Sequence, residues 1–297
     1  MTTPYQQQPP APVAPQAPPA APVGGPPAGP GGYTSPIPVR PTHLGHALAS
    51  EWTKIKSVRS TMWTLGVLVV LVVGIGFATA AGLSSGDTDL DGESPLTFGF
   101  FGVLLGILCV ITLGVLVISS EYGTGMIRTT LTACPSRARV LTAKAIVFFL
   151  VAFTVTLACT GLVALMMDSM LSGNPGVAEP TGEDWFKATV GISLYVAMLG
   201  LVALSVGALI RHSAGAITIM IGVVLLPLVL AVFMQSESLA DLQEGLLNYS
   251  VPNQLGVLYS NSVTDSGPSG WEPLGIITAV TAAALVAAYS ALDRRDV

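Results

Sequence analysis

The chain has 297 residues, 51% of them hydrophobic and only 10% charged, with a net charge of −5 and a mean hydropathy of +0.69. A soluble globule devotes roughly a quarter of its residues to Asp, Glu, Lys and Arg. Charge this sparse excludes a fully water-facing surface, so much of the solvent must be lipid.

Residues 1–42 are a tract of Pro, Ala, Gly and Gln with almost no charge and no periodicity. Such a composition cannot bury enough apolar surface to offset its chain entropy, so a disordered, partly polyproline-II tail is expected. It has neither the charged n-region nor the apolar h-region of a signal peptide. Its PxxP spacings arise by chance in a tract so rich in Pro.

After the tail, Leu44, Leu48, Trp52, Ile55 and Met62 recur at helical spacing, with His46, Ser50, Lys54 and Lys56 on the other side and Thr42 placed as N-cap. Trp and Lys suit the headgroup layer. The spacing therefore predicts an amphipathic membrane-interface helix carrying Trp52, Lys54, Ile55, Lys56 and Arg59, which turns into the membrane near Arg59.

Six apolar runs follow, at about 61–83, 98–119, 146–167, 189–210, 214–233 and 274–292. Each is near 20 residues, which at ~1.5 Å per residue spans about 30 Å of hydrocarbon. An all-α integral membrane protein with six transmembrane helices over residues 43–297 is expected. Gly102 and Gly106 form a GxxxG in the second run, which permits close helix approach, a homodimer seam or a translocation path; internal packing is the default. Pro227 should kink the fifth run. In 235–262, Leu239, Leu242 and Leu246 mark an interfacial helix.

Between the second and third runs lies SSEYGTGMIRTTLTACPSRARVLTAKA, residues 119–145. Gly123 and Gly125 can break the second span. From Met126 the pattern turns helical, with Met126, Thr130 and Cys134 on one stripe, Ile127 and Leu131 beside it, and Arg128, Thr129 and Thr132 elsewhere. Pro135 ends that short helix, and Ser136 is placed to N-cap the next. An apolar stripe flanked by Arg wants lipid headgroups or a protein groove, and the pattern alone leaves both open.

Putting both termini, 120–145 and 211–213 on one side gathers 11 of the 12 basic residues there, Lys187 alone lying opposite, while 13 of the 17 acidic residues fall on the other side. The positive-inside rule makes the basic side cytoplasmic. The acidic set includes Asp87, Asp89, Asp91 and Asp265; the basic set includes Arg40 and Arg295.

No Asp, Glu, Lys, Arg or His lies well inside a run. Ion-coupled carriers usually keep such groups at mid-membrane, so a self-powered transporter is disfavoured. Gly123-Thr124-Gly125 is too short for a phosphate loop and lacks its Lys. Gly267-Pro268-Ser269-Gly270 fits a GxSG pattern, but His43, His46 and His212 lie across the bilayer, so a turn is the better reading than a serine nucleophile. His43 and His46 lack a third ligand at metal spacing. Cys109, Cys134 and Cys159 form no CxxC and read as packing residues.

EWTKIKSVRSTMWTL before the first span, residues 119–145, LLNYSVPNQLGVLYSN before the last span and the ending ALDRRDV together resemble the membrane subunit of an ABC (ATP-binding-cassette) type-2 transporter permease, over about 44–297. The resemblance implies a cytoplasmic coupling helix that sits in a cleft of a separate ATPase subunit. On it, Glu121, Gly123, Thr124, Met126, Ile127, Arg128, Leu131, Pro135, Ser136 and Arg137 fall on the coupling segment. The chain is then expected to be no enzyme, to hold no cofactor itself, and to rely on ATP and Mg bound by the partner. It would work in the plasma membrane as a homodimer or paired with a similar permease, export a hydrophobic or amphipathic compound, and bind no nucleic acid. The alternative is a non-transporting membrane protein, a sensor or assembly factor, whose loop binds lipid or another protein. The Pro-rich tail departs from the family.

Overall fold

The computed structural model describes residues 43–85, 90, 92–174, 176–234, 236–262 and 266–294. The tail at 1–42, the Thr42 cap and Arg40, Asp87, Asp89, Asp91, Asp265 and Arg295 lie outside them. The described residues form helices and no strand. They are α1 Leu44–Ser57, α2 Arg59–Ser84, α3 Phe100–Gly123, α4 Met126–Ala133, α5 Arg137–Leu171, α6 Gly182–Phe186, α7 Ile192–Ile210, α8 Ser213–Phe233, α9 Ala240–Asn248, α10 Val251–Leu258 and α11 Glu272–Arg294. A 3₁₀ turn at Pro95–Gly99 leads into α3, and a π turn at Lys187–Gly191 joins α6 to α7.

Six of these helical stretches are long and apolar enough to cross a membrane: Arg59–Ser84, Pro95–Gly123, Arg137–Leu171, Gly182–Ile210, Ser213–Phe233 and Glu272–Arg294. Each contains one of the six apolar runs of the sequence. Burial ranks them. In α7, 78% of the most apolar window is buried, against 22% in α2 and α8 and 17% in α11. The core therefore gathers on α7, where Tyr195, Val196 and Leu204 pack with Val110, Ile111 and Val115 of α3 and Phe148 of α5. The outer helices turn Trp63, Val70, Phe77, Phe233 and Val286 outward, an apolar exterior that only lipid or another apolar surface solvates well.

Small residues let the inner helices approach. A Cβ on Gly102 would lie 2.6 Å from the Val72 carbonyl oxygen of α2, and one on Gly114 only 2.4 Å from that of Gly200 in α7. The GxxxG is thus an internal α2–α3 seam. Pro227 sits inside α8 without ending it.

The segment between α8 and α11 holds more than one surface helix. In α9, Leu242 is exposed, but all eight residues of α10 are buried, and α10 contacts α3, α7 and α11. Its polar side chains are bonded inside the bundle. Asn253 Nδ2 donates to the Asn248 carbonyl at 3.2 Å, Gln254 Nε2 donates to that of Tyr249 at 3.1 Å, and the Tyr195 hydroxyl donates to Gln254 Oε1 at 3.3 Å. Burying amides is tolerable only when they are paired in this way. Gly267 and Gly270, both at positive φ, bend the chain just before α11, and the Ser269 N–H donates to Glu272 Oε2 at 2.8 Å. The GxSG string is therefore a turn that caps a helix.

Candidate functional site

At one end of the bundle α1, α4 and the adjoining ends of α3 and α5 meet. The α3–α4 break depends on Gly125, which adopts φ 71°, a left-handed conformation that costs a side-chain-bearing residue energy. Helix α4 runs for eight residues until Cys134 turns extended before Pro135. Ser136 then accepts from the Arg139 N–H at 3.4 Å and caps α5.

The faces of α4 differ from the expected coupling surface. Ile127 is buried, Thr130 and Leu131 are half-buried, and Met126, Arg128, Thr129, Thr132 and Ala133 are exposed. Ile127 therefore holds α4 to the bundle rather than offering itself to a partner. An eight-residue helix carries apolar side chains on two sides, and periodicity alone does not say which side is packed. Gly123 and Thr124 are exposed at the break, and Pro135 at its far side. Arg137 is turned inward and donates to the Leu292 carbonyl at 2.7 Å, tying α5 to the end of α11.

Glu121 is also not a surface residue. It is 2% exposed and belongs to a closed ring of four charges. Its Oε1 accepts from Lys144 Nζ at 2.6 Å and from Lys54 Nζ at 2.8 Å; Glu51 accepts from Lys144 at 2.7 Å through Oε2 and from Lys54 at 2.8 Å through Oε1. Glu51 and Lys54 come from α1, Glu121 from α3 and Lys144 from α5, so the ring clamps three helices. Lys54 Nζ further donates to Thr130 Oγ1 of α4 at 3.4 Å. Two carboxylates and two ammoniums sum to zero charge, the condition under which buried ions are tolerated. Burial alone would lower the Lys54 pKa, but hydrogen bonds and charge from Glu121 and Glu51 outweigh it and raise that pKa above its ordinary value.

Helix α1, expected at the membrane interface, turns only part of its surface outward. Trp52, Lys56 and Arg59 are exposed, with Lys56 Nζ 5.0 Å from the Trp52 ring centroid. Lys54, expected on the headgroup side, faces the ring, and Ile55 packs on Val147 and Val151 of α5. His43 occupies the N-cap position of α1, with no side-chain bond to the helix.

Sequence reasoning missed Glu51 and Lys144 as site residues. The signal was there: Glu121 and Lys144 each abut an apolar run, and a charge at that depth requires a partner. Glu51 and Lys54 sit three apart on one helix face.

Two cavities flank the ring. One of about 360 Å³ is lined by His46, Ser50, Thr129, Thr130 and Cys134; the other, of about 100 Å³, by Thr61, Val117, Glu121 and Lys144. Glu51, Lys54 and Met126 border both. Beyond the ring, the Arg211 guanidinium lies 5.0 Å from the Tyr122 ring centroid, joining the end of α7 to that of α3.

Residues 47–228 match the model of a family described as "ABC-2 family transporter protein", a stretch that covers more than half of the chain and includes α4 and all four charges of the ring. No curated protein was found to match the chain.

Proposed function

Since the chain belongs to the ABC-2 family of transporter proteins, and is therefore a multi-pass membrane permease, we propose that it is driven by ATP hydrolysis on a separate cytoplasmic ATPase that docks on α4. One observation carries the reading. A short helix with an exposed face of Met126, Arg128, Thr129, Thr132 and Ala133 is seated at the bundle end by buried Ile127 and tied through Thr130 to Lys54 of a buried charge ring that joins α1, α3 and α5. A surface anchor needs no such fixing; an element that receives force does, because displacement must reach the membrane helices rather than dissipate locally.

The positive-inside rule supports locating this end in the cytoplasm, with both termini there; the plasma membrane is the membrane to which we assign the chain. ATP and Mg belong to the partner, and this chain carries the cargo without catalysing a reaction. Charged side chains among the described residues lie near the ends of the six long stretches and not at their middles, which supports a hydrophobic or amphipathic cargo, and export is the direction we assign to it. The apolar exteriors of α2, α8 and α11 suit lipid together with a second copy or a similar permease.

The test is copurification from detergent with the Thr129→Glu/Thr132→Glu variant against wild type. Two charges introduced into a desolvated contact should reduce recovery of an ATP-hydrolysing polypeptide by about 100-fold, while insertion and yield stay unchanged. Equal recovery of the ATPase with the variant would remove α4 from the docking contact. Recovery of no ATPase with wild type would favour the sensor or assembly-factor reading.

A further inference from the structure

We propose that Lys54 is a positioning residue, the one movable corner of the charge ring, through which the position of α4 is read by α1. The two lysines are not equivalent. Lys144 is 1% exposed and bonded to both carboxylates, with the Val117 carbonyl at 3.5 Å as a further acceptor; it is a fixed post joining α1, α3 and α5. The Lys54 side chain is 27% exposed and is the ring member bonded to α4. It borders both cavities, as does Met126, the first residue of α4, so its ammonium has room to move and its room changes when α4 shifts.

The ring is built so that this corner opens while each carboxylate keeps one ammonium. If Lys54 leaves, Glu51 Oε2 and Glu121 Oε1 both keep Lys144. If Lys144 left, the carboxylates would keep only the part-exposed Lys54, and the buried bond to the Val117 carbonyl would go. Both ammoniums crowd onto Oε1 of Glu121, while its buried Oε2 has no hydrogen-bond partner. A spare acceptor beside the smaller cavity allows a displaced ammonium to exchange oxygens instead of losing the carboxylate. The two states are then a closed ring with α4 seated against α1, and an open chain Glu51–Lys144–Glu121 with Lys54 swung into a cavity and α4 released. The proposal rests on the permease reading only for what moves α4.

The experiment uses the solubilised full-length chain with Cys109→Ala and Cys159→Ala. With Cys134→Ala added, nitroxides on Thr132→Cys of α4 and Thr53→Cys of α1, both exposed and outside the two cavities, report their separation by pulsed electron resonance. The otherwise unaltered protein should give one narrow distance. Lys54→Met should broaden the distribution about twofold or split it, with a smaller loss of thermal stability than Lys144→Met causes, and Lys54→Arg should restore it. A Lys54→Met distribution as narrow as the parent's overturns the proposal. So does a Lys54→Met protein as destabilised as Lys144→Met, since Lys54 would then be a purely structural ion. No ATPase is needed for this measurement, so failure of the docking reading and failure of this one are separable.

Discussion

Replacing Lys144 by Met removes an ammonium that is 1% exposed and pairs with two buried carboxylates at 2.6 and 2.7 Å. The methionine fills most of the space but leaves two negative charges to share the single Lys54. Breaking a buried pair by removing one partner costs about 3–5 kcal/mol, because the surviving charge is stranded where water cannot reach it. Lys54→Met also leaves two buried carboxylates on one ammonium, but it removes the cation whose side chain is 27% exposed and keeps the fully buried one, so it should cost less, about 1–3 kcal/mol. At roughly 2–4 °C per kcal/mol for a chain of this size, Lys144→Met should melt about 10 °C below wild type and Lys54→Met about 5 °C below it. Thermal unfolding in mild detergent, followed by the loss of the monodisperse size-exclusion peak, measures both. Equal shifts for the two variants, or no shift for Lys144→Met, would refute the assignment of Lys144 as the buried centre of the ring.

Further outcomes are expected elsewhere. Gly114→Val drives a side chain into the α7 backbone 2.4 Å away and should abolish the folded protein, whereas Gly82→Ala, with nothing within 4 Å, should be silent; yield and melting in detergent compare them. A cysteine at Ser85 or Ser266 should react with an impermeant thiol reagent on intact cells while native Cys134 does not, and labelling of Cys134 alone would invert the topology. The Lys54 pKa is raised above 10.5, so its contribution is complete below that value and fades only as pH rises through the raised one. The stability difference between wild type and Lys54→Met should therefore be the same at about pH 7 and about pH 9.

The six spans were legible because each is an unbroken apolar run of bilayer length, a signal that survives without tertiary information. The α3–α4–α5 junction was legible too, since Gly125 and Pro135 act through their own backbone geometry and Ser136 through a side-chain cap three residues away. The ring was not. Glu51 and Lys144 are 93 residues apart and meet only because α1 folds back on α5, a packing that periodicity does not encode. For the same reason the inward turn of Ile127 could not be told from the outward turn of Met126, and the buried amides of α10 were hidden in a stretch whose leucine spacing reads as surface.

A photo-activated cross-linking residue placed singly at Arg128, Thr132, Ile127 and Trp52, irradiated in intact membranes, tests the central claim most directly. Docking of an ATPase on the exposed face of α4 predicts that Arg128 and Thr132 capture one ATP-binding polypeptide, that buried Ile127 gives only adducts within the chain, and that Trp52 captures lipid. Lipid adducts at Arg128 and Thr132 like those at Trp52 would contradict it, making α4 a helix that lies on the membrane and receives nothing from an ATPase.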